Sequence, residues 1–174
     1  YNVYNALCAF CVCYALEIDE EQIVKGLNDF SGVKRRFEKI GAFSGVPVIC
    51  DYAHHPKEIE NSLKTAKEIF GENIAVIFQP HTYSRTKALL ADFVSVLNEC
   101  KNLCIYKTFP AREKFDKEGD GKRIFEKIDG SVYADTPEIL KKHLRETTEK
   151  GVNLILALGA GDIYDIMVKT TDNN

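Results

Sequence analysis

Two kinds of apolar segment alternate along this chain. Long segments repeat apolar residues every three or four positions, which predicts helices. Short ones are apolar at nearly every position, which predicts strands buried on both faces. Asn5 to Leu16 (NALCAFCVCYAL) has helical length and is nearly all apolar, so deep burial is expected. A second helix starts at Asp19, with Gln22 three residues on and Glu20 and Glu21 in the first turn. It keeps helical spacing through Ile23, Val24, Leu27 and Phe30, and stops at Ser31-Gly32. Beyond the basic run Lys34-Arg35-Arg36 the pattern changes. Strands are predicted at Val46–Cys50, Ile74–Phe78, Leu103–Tyr106, Val132–Ala134 and Leu154–Leu158. Helices are predicted at Lys57–Phe70, Thr86–Cys100, Lys122–Ile128, from Thr136-Pro137 onward, and at Asp162–Lys169. The polar tail from Thr170 to Asn174 should fray.

Alternating short strands and long helices specify an α/β fold: a mostly parallel sheet with helices on both faces. The first two helices do not fit that alternation. A boundary therefore falls near Gly32 to Lys34, with residues 1–32 a helical segment and residues 33–174 the α/β domain.

Composition narrows the class. Apolar residues are 45% and charged residues 28% of 174, which argues against disorder. A net charge of −3 is not the footprint of a nucleic-acid binder. The run Val3 to Leu16 falls short of the roughly 20 residues a membrane span requires. The six cysteines, Cys8, Cys11, Cys13, Cys50, Cys100 and Cys104, lie in regular apolar segments, as expected of reduced thiols in a cytoplasmic protein. Cys8-x-x-Cys11-x-Cys13 has no second ligand pair at zinc spacing, so these read as small packing residues and no metal site is expected. A chain opening on Tyr1 is read as a piece of a longer protein.

Ligands of open parallel sheets bind outside the carboxyl ends of the strands. The loops expected there are Asp51-Tyr52-Ala53-His54-His55-Pro56, Gln79-Pro80-His81-Thr82-Tyr83-Ser84-Arg85-Thr86, Lys107-Thr108-Phe109-Pro110-Ala111-Arg112-Glu113 and Gly159-Ala160-Gly161-Asp162. Three of four histidines gather in the first two. Asp51 fits a turn or helix cap as well as a ligand contact. His54 and His55 fit exposed loop residues as well as a site. Arg85 stands at a helix start, where the dipole disfavours a cation, and this points to an anionic ligand. Lys34-Arg35-Arg36 fits a solvated patch. Gly159-Ala160-Gly161 has Tyr164 where a dinucleotide fingerprint needs glycine, so a tight turn suffices. Neither a G-x-x-x-x-G-K-[ST] phosphate loop nor a nucleophile elbow is present. The edge suits anions but has no obvious engine, as expected of one half of a site shared with another domain.

Val33–Glu38 (VKRRFE), Asp51–Pro56 (DYAHHP), Phe78–Thr86 (FQPHTYSRT) and Gly159–Ile163 (GAGDI) together resemble the carboxy-terminal part of the Mur ligases, and Tyr1–Leu7 resembles the end of their central ATPase domain. The resemblance runs the length of the chain. It implies a Rossmann-like domain of an ATP-dependent amide ligase of peptidoglycan synthesis. ATP phosphorylates the lactyl carboxylate of UDP-N-acetylmuramate, and the amine of L-alanine attacks the acyl phosphate. The resemblance assigns adenine to Asn2 and Asn5, which share a helix face. It assigns the nucleotide phosphates to Arg36 and the ribose to Asp51. Tyr52, His54, His81 and Arg85 surround the carboxylate end, with His54, His81 and Arg85 nearest the chemistry. Mg2+ would find its ligands mostly outside these residues, and the missing amino-terminal and central domains would be partners. Two positions depart from the pattern: Tyr1 stands for a common His, and Thr82 for a common Arg. The alternatives are a ligase of the same family that recycles murein tripeptide and a non-catalytic nucleotide- or anion-binding module.

Overall fold

A computed structural model describes residues 2–171, excepting the side chain of Asn2. Tyr1, the Asn2 side chain and residues 172–174 lie outside the described residues. The chain divides into two compact units, Tyr1–Val33 and Lys34–Asn174.

The first unit is two helices, α1 (Asn2–Ala15) and α2 (Glu20–Asp29). Asp19 caps α2, its carboxylate accepting from the Glu21 and Gln22 amides. Ile23 is buried. The expected burial of α1 does not occur: Val3, Leu7, Val12 and Leu16 are 56–79% exposed. An all-round apolar helix needs neighbours on every side, and within this unit α2 covers one. The packing role expected of Cys8 and Cys11 fails with it, because both are exposed and Cys13 is half-buried.

The second unit is a six-stranded sheet in the order β1-β2-β6-β3-β4-β5. Its strands are β1 (Glu38–Phe43), β2 (Val46–Asp51), β3 (Ile74–Phe78), β4 (Asn102–Tyr106), β5 (Val132–Ala134) and β6 (Leu154–Leu158). Every pairing is parallel except the β1–β2 hairpin. Sequence periodicity missed β1, whose mixed EKIGAF pattern hides an edge strand; the two-residue turn Ser44-Gly45, with both φ positive, was its signal.

Helix α3 (Pro56–Phe70) packs on one sheet face with α5 (Leu90–Leu97) and α6 (Lys122–Phe125), through Ile59, Leu63, Phe93, Leu97 and Ile124. Helices α7 (Pro137–Glu149) and α8 (Ile163–Thr170) cover the other, through Leu140, Leu144, Ile163 and Met167. Strand residues alternate between these cores: Val76 and Phe78 face the first, Ala75 and Ile77 the second. That two-sided burial is why β3 and β6 contain no polar residue.

Three expectations need correction. The single helix over Thr86–Cys100 is two, α4 (Tyr83–Ala88) and α5, separated by Leu89 at φ −112° and ψ 21°. Backbone bonds Leu89 N to Arg85 O and Phe93 N to Leu89 O carry the periodicity through the bend, so apolar spacing did not register it. Helix α4 is held by the 3₁₀ turn Lys117–Gly119, where Gly119 packs against the Tyr83 backbone with no room for a Cβ. Helix α6 stops at Phe125: after Glu126 N, which still bonds the Lys122 carbonyl, Lys127 N and Ile128 N bond only three residues back and tighten the turn. Thr170 and Thr171 do not fray: their hydroxyls donate to the carbonyls of Ile166 and Val168, and both are buried.

Candidate functional site

Strand order builds the site. The chain moves from β2 to β3, β4 and β5 with helices on one face. It then returns through α7 on the other face to place β6 between β2 and β3. The loops after β3 and β6 therefore leave toward opposite faces and open a crevice at the carboxyl ends.

From β2, Asp51 ends the strand only 3% exposed. Its Oδ2 accepts from Ser62 Oγ at 2.7 Å and its Oδ1 from the Ala53 amide at 3.3 Å. Burial raises its pKa, against the opposing pull of those hydrogen bonds and of Arg36. Asp51 thus uses its oxygens to tie β2 to α3. His55 is likewise committed to α3: its Nδ1 accepts from Lys57 N and, with Glu58, forms the capping box of that helix.

Next comes a row of rings and guanidiniums. The exposed Arg36 lies 5.4 Å over the Tyr52 ring. Tyr52 meets His54 edge-on at 5.2 Å, and His54 meets His81 at 5.6 Å. His81 stacks on Phe109 and lies 3.3 Å from Arg85 Nη1. The hydrogen-bond partners assign the tautomers. His54 Nδ1 is 2.9 Å from the Tyr52 carbonyl oxygen and 3.4 Å from Glu58 Oε2, so it carries a hydrogen; in the neutral ring Nε2 is then the acceptor. His81 Nδ1 accepts from Arg85, so neutral His81 offers Nε2–H as a donor. Burial lowers the His81 pKa, His54 and Arg85 lower it further, and Glu113 opposes them. His81 is therefore held neutral beside a permanent cation, an arrangement suited to an incoming anion.

Arg85 does not stand against a substantial helix dipole. Helix α4 has six residues, and Arg85 turns back to donate to the His81 carbonyl as well as the ring. The α4 amino terminus is met by Glu113, which accepts from Ser84 N at 2.9 Å and from Ser84 Oγ. Thr82, at φ 69°, gives α4 no side-chain cap. A positive φ is uncommon for a β-branched residue, and here it sits between His81 and α4.

The basic run divides. Arg35 is structural: its guanidinium lies 4.6 Å over the Tyr164 ring, donates to Gly161 O at 3.4 Å and pairs with Asp165 at 3.5 Å. Its carbonyl accepts from Tyr52 N at 2.6 Å, which pins the segment bearing Arg36 to the end of β2. The structure brings together Arg36, Tyr52, His54, His81 and Arg85. Asn5 lies exposed on α1 in the other unit. Among the described residues no three His, Cys, Asp or Glu side chains form a metal-binding group. A groove of about 820 Å³ between α3 and α5 includes Leu63, Lys67, Val96 and Glu99 but none of the row. Sequence reading passed over Gln79, a buried polar residue between an apolar strand and a proline. Its position was the available signal.

A row of two arginines and two histidines at the switch point of a doubly wound sheet places this domain among the open α/β folds, whose ligands bind at the carboxyl ends of the strands. The chain belongs to the Mur ligase family: residues 35–161 match the family model described as "Mur ligase, glutamate ligase domain". It is 40% identical, along its whole length, to 38% of a UDP-N-acetylmuramate–L-alanine ligase of Caldanaerobacter subterraneus subsp. tengcongensis. It is 42% identical to the corresponding ligase of Clostridium tetani, over 94% of this chain and 37% of that protein. The crystal structure of the UDP-N-acetylmuramate-alanine ligase of Thermotoga maritima superposes with a TM-score of 0.71 and 30% identity, over 97% of this chain and 36% of that one. The chain thus spans a little over a third of the length of the relatives it matches.

Proposed function

We propose that this chain supplies the anion-handling domain of an ATP-dependent ligase that joins L-alanine to UDP-N-acetylmuramate in the cytoplasm. The observation that carries this reading is the unbroken row Arg36–Tyr52–His54–His81–Arg85, in a domain whose relatives carry that activity in their names. The exposed α1 is the surface we assign to the rest of such an enzyme, as the end of its central ATPase domain, with the exposed Asn5 assigned to adenine; Asn2, assigned to it likewise, has its side chain outside the described residues.

A carboxylate is a poor acyl donor. In the reaction an oxygen of the lactyl carboxylate attacks the γ-phosphorus of ATP and ADP leaves. The amine of L-alanine then attacks the acyl carbon, forming the C–N bond as inorganic phosphate departs. Arg36 is assigned to nucleotide phosphate, where a guanidinium offsets transferring charge. Arg85 and the Nε2–H of His81 are assigned to the carboxylate end. Neutral His54, with its hydrogen on Nδ1, has Nε2 as the group suited to take the proton shed by the attacking ammonium. Tyr52 orients both His54 and Arg36. Asp51, assigned to the ribose, also accepts from Ser62 and the Ala53 amide, so it holds the turn as well. Magnesium is left to ligands mostly in the missing domains, since no three His, Cys, Asp or Glu side chains group together among the described residues.

The test is phosphate release by the full-length enzyme with ATP and UDP-N-acetylmuramate, comparing L-alanine with tripeptide as the amine. Release dependent on L-alanine is expected. Release dependent on tripeptide alone would move the assignment to a recycling ligase, and release with neither would overturn it. In the same assay Arg85→Lys should lose about 5- to 150-fold in rate, because lysine keeps the charge but not the planar fork.

A further inference from the structure

Gln79 is the first residue beyond β3, and its side chain is 1% exposed. It uses its whole amide. Nε2 donates to Asp162 Oδ1 at 2.6 Å and to the Lys107 carbonyl at 3.4 Å, while Oε1 accepts from Ile163 N at 3.0 Å. One side chain thereby joins the loops that follow β3, β4 and β6.

The turn after β6 is shaped around this amide. A Cβ on Gly159 would stand 2.9 Å from the Gln79 carbonyl oxygen and 3.1 Å from its Cβ. A Cβ on Gly161 would stand 2.5 Å from Gln79 Oε1 and 2.6 Å from the Phe109 ring. The two glycines are therefore explained by Gln79 and Phe109 pressing on the turn, with no phosphate required.

Both ends of the anion row rest on that turn. The Gly161 carbonyl accepts from Arg35, and the Arg35 carbonyl holds Tyr52, so one end is set through the neighbour of Arg36. On the other side Gly161 packs against Phe109, which stacks on His81. We propose that Gln79 is a positioning residue, the latch that sets the spacing between the Arg36–Tyr52 end and the His81–Arg85 end of the row. This rests on the function proposed above, where the two ends act on different parts of one reaction.

Gln79→Glu tests it by polarity. The new carboxylate keeps an acceptor for Ile163 N but turns oxygen toward Asp162 and Lys107 O, where the parent donates. Adding Asp162→Asn returns a donor to that contact. In the full-length enzyme near pH 8, folded Gln79→Glu should lose about 10- to 100-fold in kcat/KM, the effect of a displacement of about 1 Å. The loss should fall on both the nucleotide and the amino acid. The added Asp162→Asn should restore most of it, and lowering the pH should restore part, as one proton is shared between the carboxylates. In the present chain the His54 and His81 imidazole NMR signals should shift in Gln79→Glu and return in the double variant, with His143 on α7 unmoved. Should Gln79→Glu not fold, Gln79→Met, which removes the donors without adding charge, is read by the same signals. Parental kinetics and unmoved His54 and His81 signals in a folded variant would overturn the latch. Histidine signals that shift and return in a protein whose full-length parent does not ligate would refute the proposed function and leave the latch standing.

Discussion

Asp51 offers a clean separation of folding from chemistry. Its carboxylate is 3% exposed and accepts from Ser62 Oγ and the Ala53 amide. Asp51→Asn preserves both contacts: the amide oxygen accepts from Ala53, the amide nitrogen donates to Ser62 Oγ, and the serine hydrogen turns to a backbone carbonyl of its own helix. Asp51→Ala leaves a buried hydroxyl and an amide without their partner, at about 1–3 kcal/mol each, partly offset by relaxation. We expect the alanine variant to lose about 2–4 kcal/mol, with roughly 2–4 °C of Tm per kcal/mol for a chain this long. The asparagine variant should lie within about 1 kcal/mol of the parent at neutral pH or above it, since a neutral amide avoids burying a charge. The sign of the pH dependence follows from the raised native pKa. Folded Asp51 binds its proton more tightly than unfolded Asp51. The parent therefore gains on the asparagine variant as pH falls from neutrality through the native pKa toward the ordinary aspartate value of about 3.9. Thermal melts at neutral pH and at about pH 4 measure both effects. An asparagine variant as unstable as alanine at neutral pH, or one that gains on the parent on acidification, would refute the argument. If Asp51 also touches nucleotide, Asp51→Asn raises the KM for ATP with no matching fall in Tm.

Other expectations are independent of that site. His143 on α7 is buried, its Nε2 is without a hydrogen-bond partner among the described residues, and burial lowers its pKa, with Glu146 opposing. Its contribution to stability is thus present above the ordinary histidine value of about 6.5 and is lost as pH falls through the lower native value; His143→Leu should flatten that part of the urea-midpoint profile, and an unchanged slope would contradict it. Gly161→Ala should lower the urea midpoint by about 1–3 kcal/mol of stability through its collision with Gln79 and Phe109. Gly26→Ala, in α2 with nothing near its Cβ, should add about 0.5–1 kcal/mol. With a thiol reagent at about pH 8, Cys8 and Cys11 should label at once. Cys50 and Cys104, buried with thiols pushed up to about 12, should label only on unfolding.

Much of this was legible in the sequence, for physical reasons. β3 and β6 announce themselves because burial on both faces leaves no place for a polar residue. The loops after them could be read as a site because the fold class alone says where ligands go. What escaped shares a different property. β1 is an edge strand, half-buried and mixed in composition, so its only mark is the Ser44-Gly45 turn. The bend at Leu89 breaks the helix without breaking its apolar spacing. The exposure of α1 depends on neighbours, and composition cannot count those. Arg35 and Arg36 are adjacent and alike in type, yet one is tied to Tyr164, Gly161 and Asp165 while the other lies over Tyr52. That division is decided by contacts across the fold. Asp51 and Gln79 show the same limit, because a polar residue after a strand is equally suited to ligand or scaffold until its partners are known.

The position of β6 has a consequence for how the polypeptide comes to be folded. β6 is the last strand to be synthesised, yet it lies between β2 and β3, with Val48 pairing to Ile155 and Ile77 to Ala157. Until residue 158 has left the ribosome, β2 and β3 each present an unpaired edge of backbone N–H and C=O groups with no correct neighbour, and they cannot pair with each other without excluding the strand to come. Contacts so distant in sequence form slowly, and unpaired edges of this kind recruit other chains. A nascent chain halted before Leu154 would hold its first-face helices and half a sheet with a vacancy at its middle. Such a chain would draw chaperones and proteases, and the crevice at the carboxyl ends of β2, β6 and β3 closes only once β6 is in place.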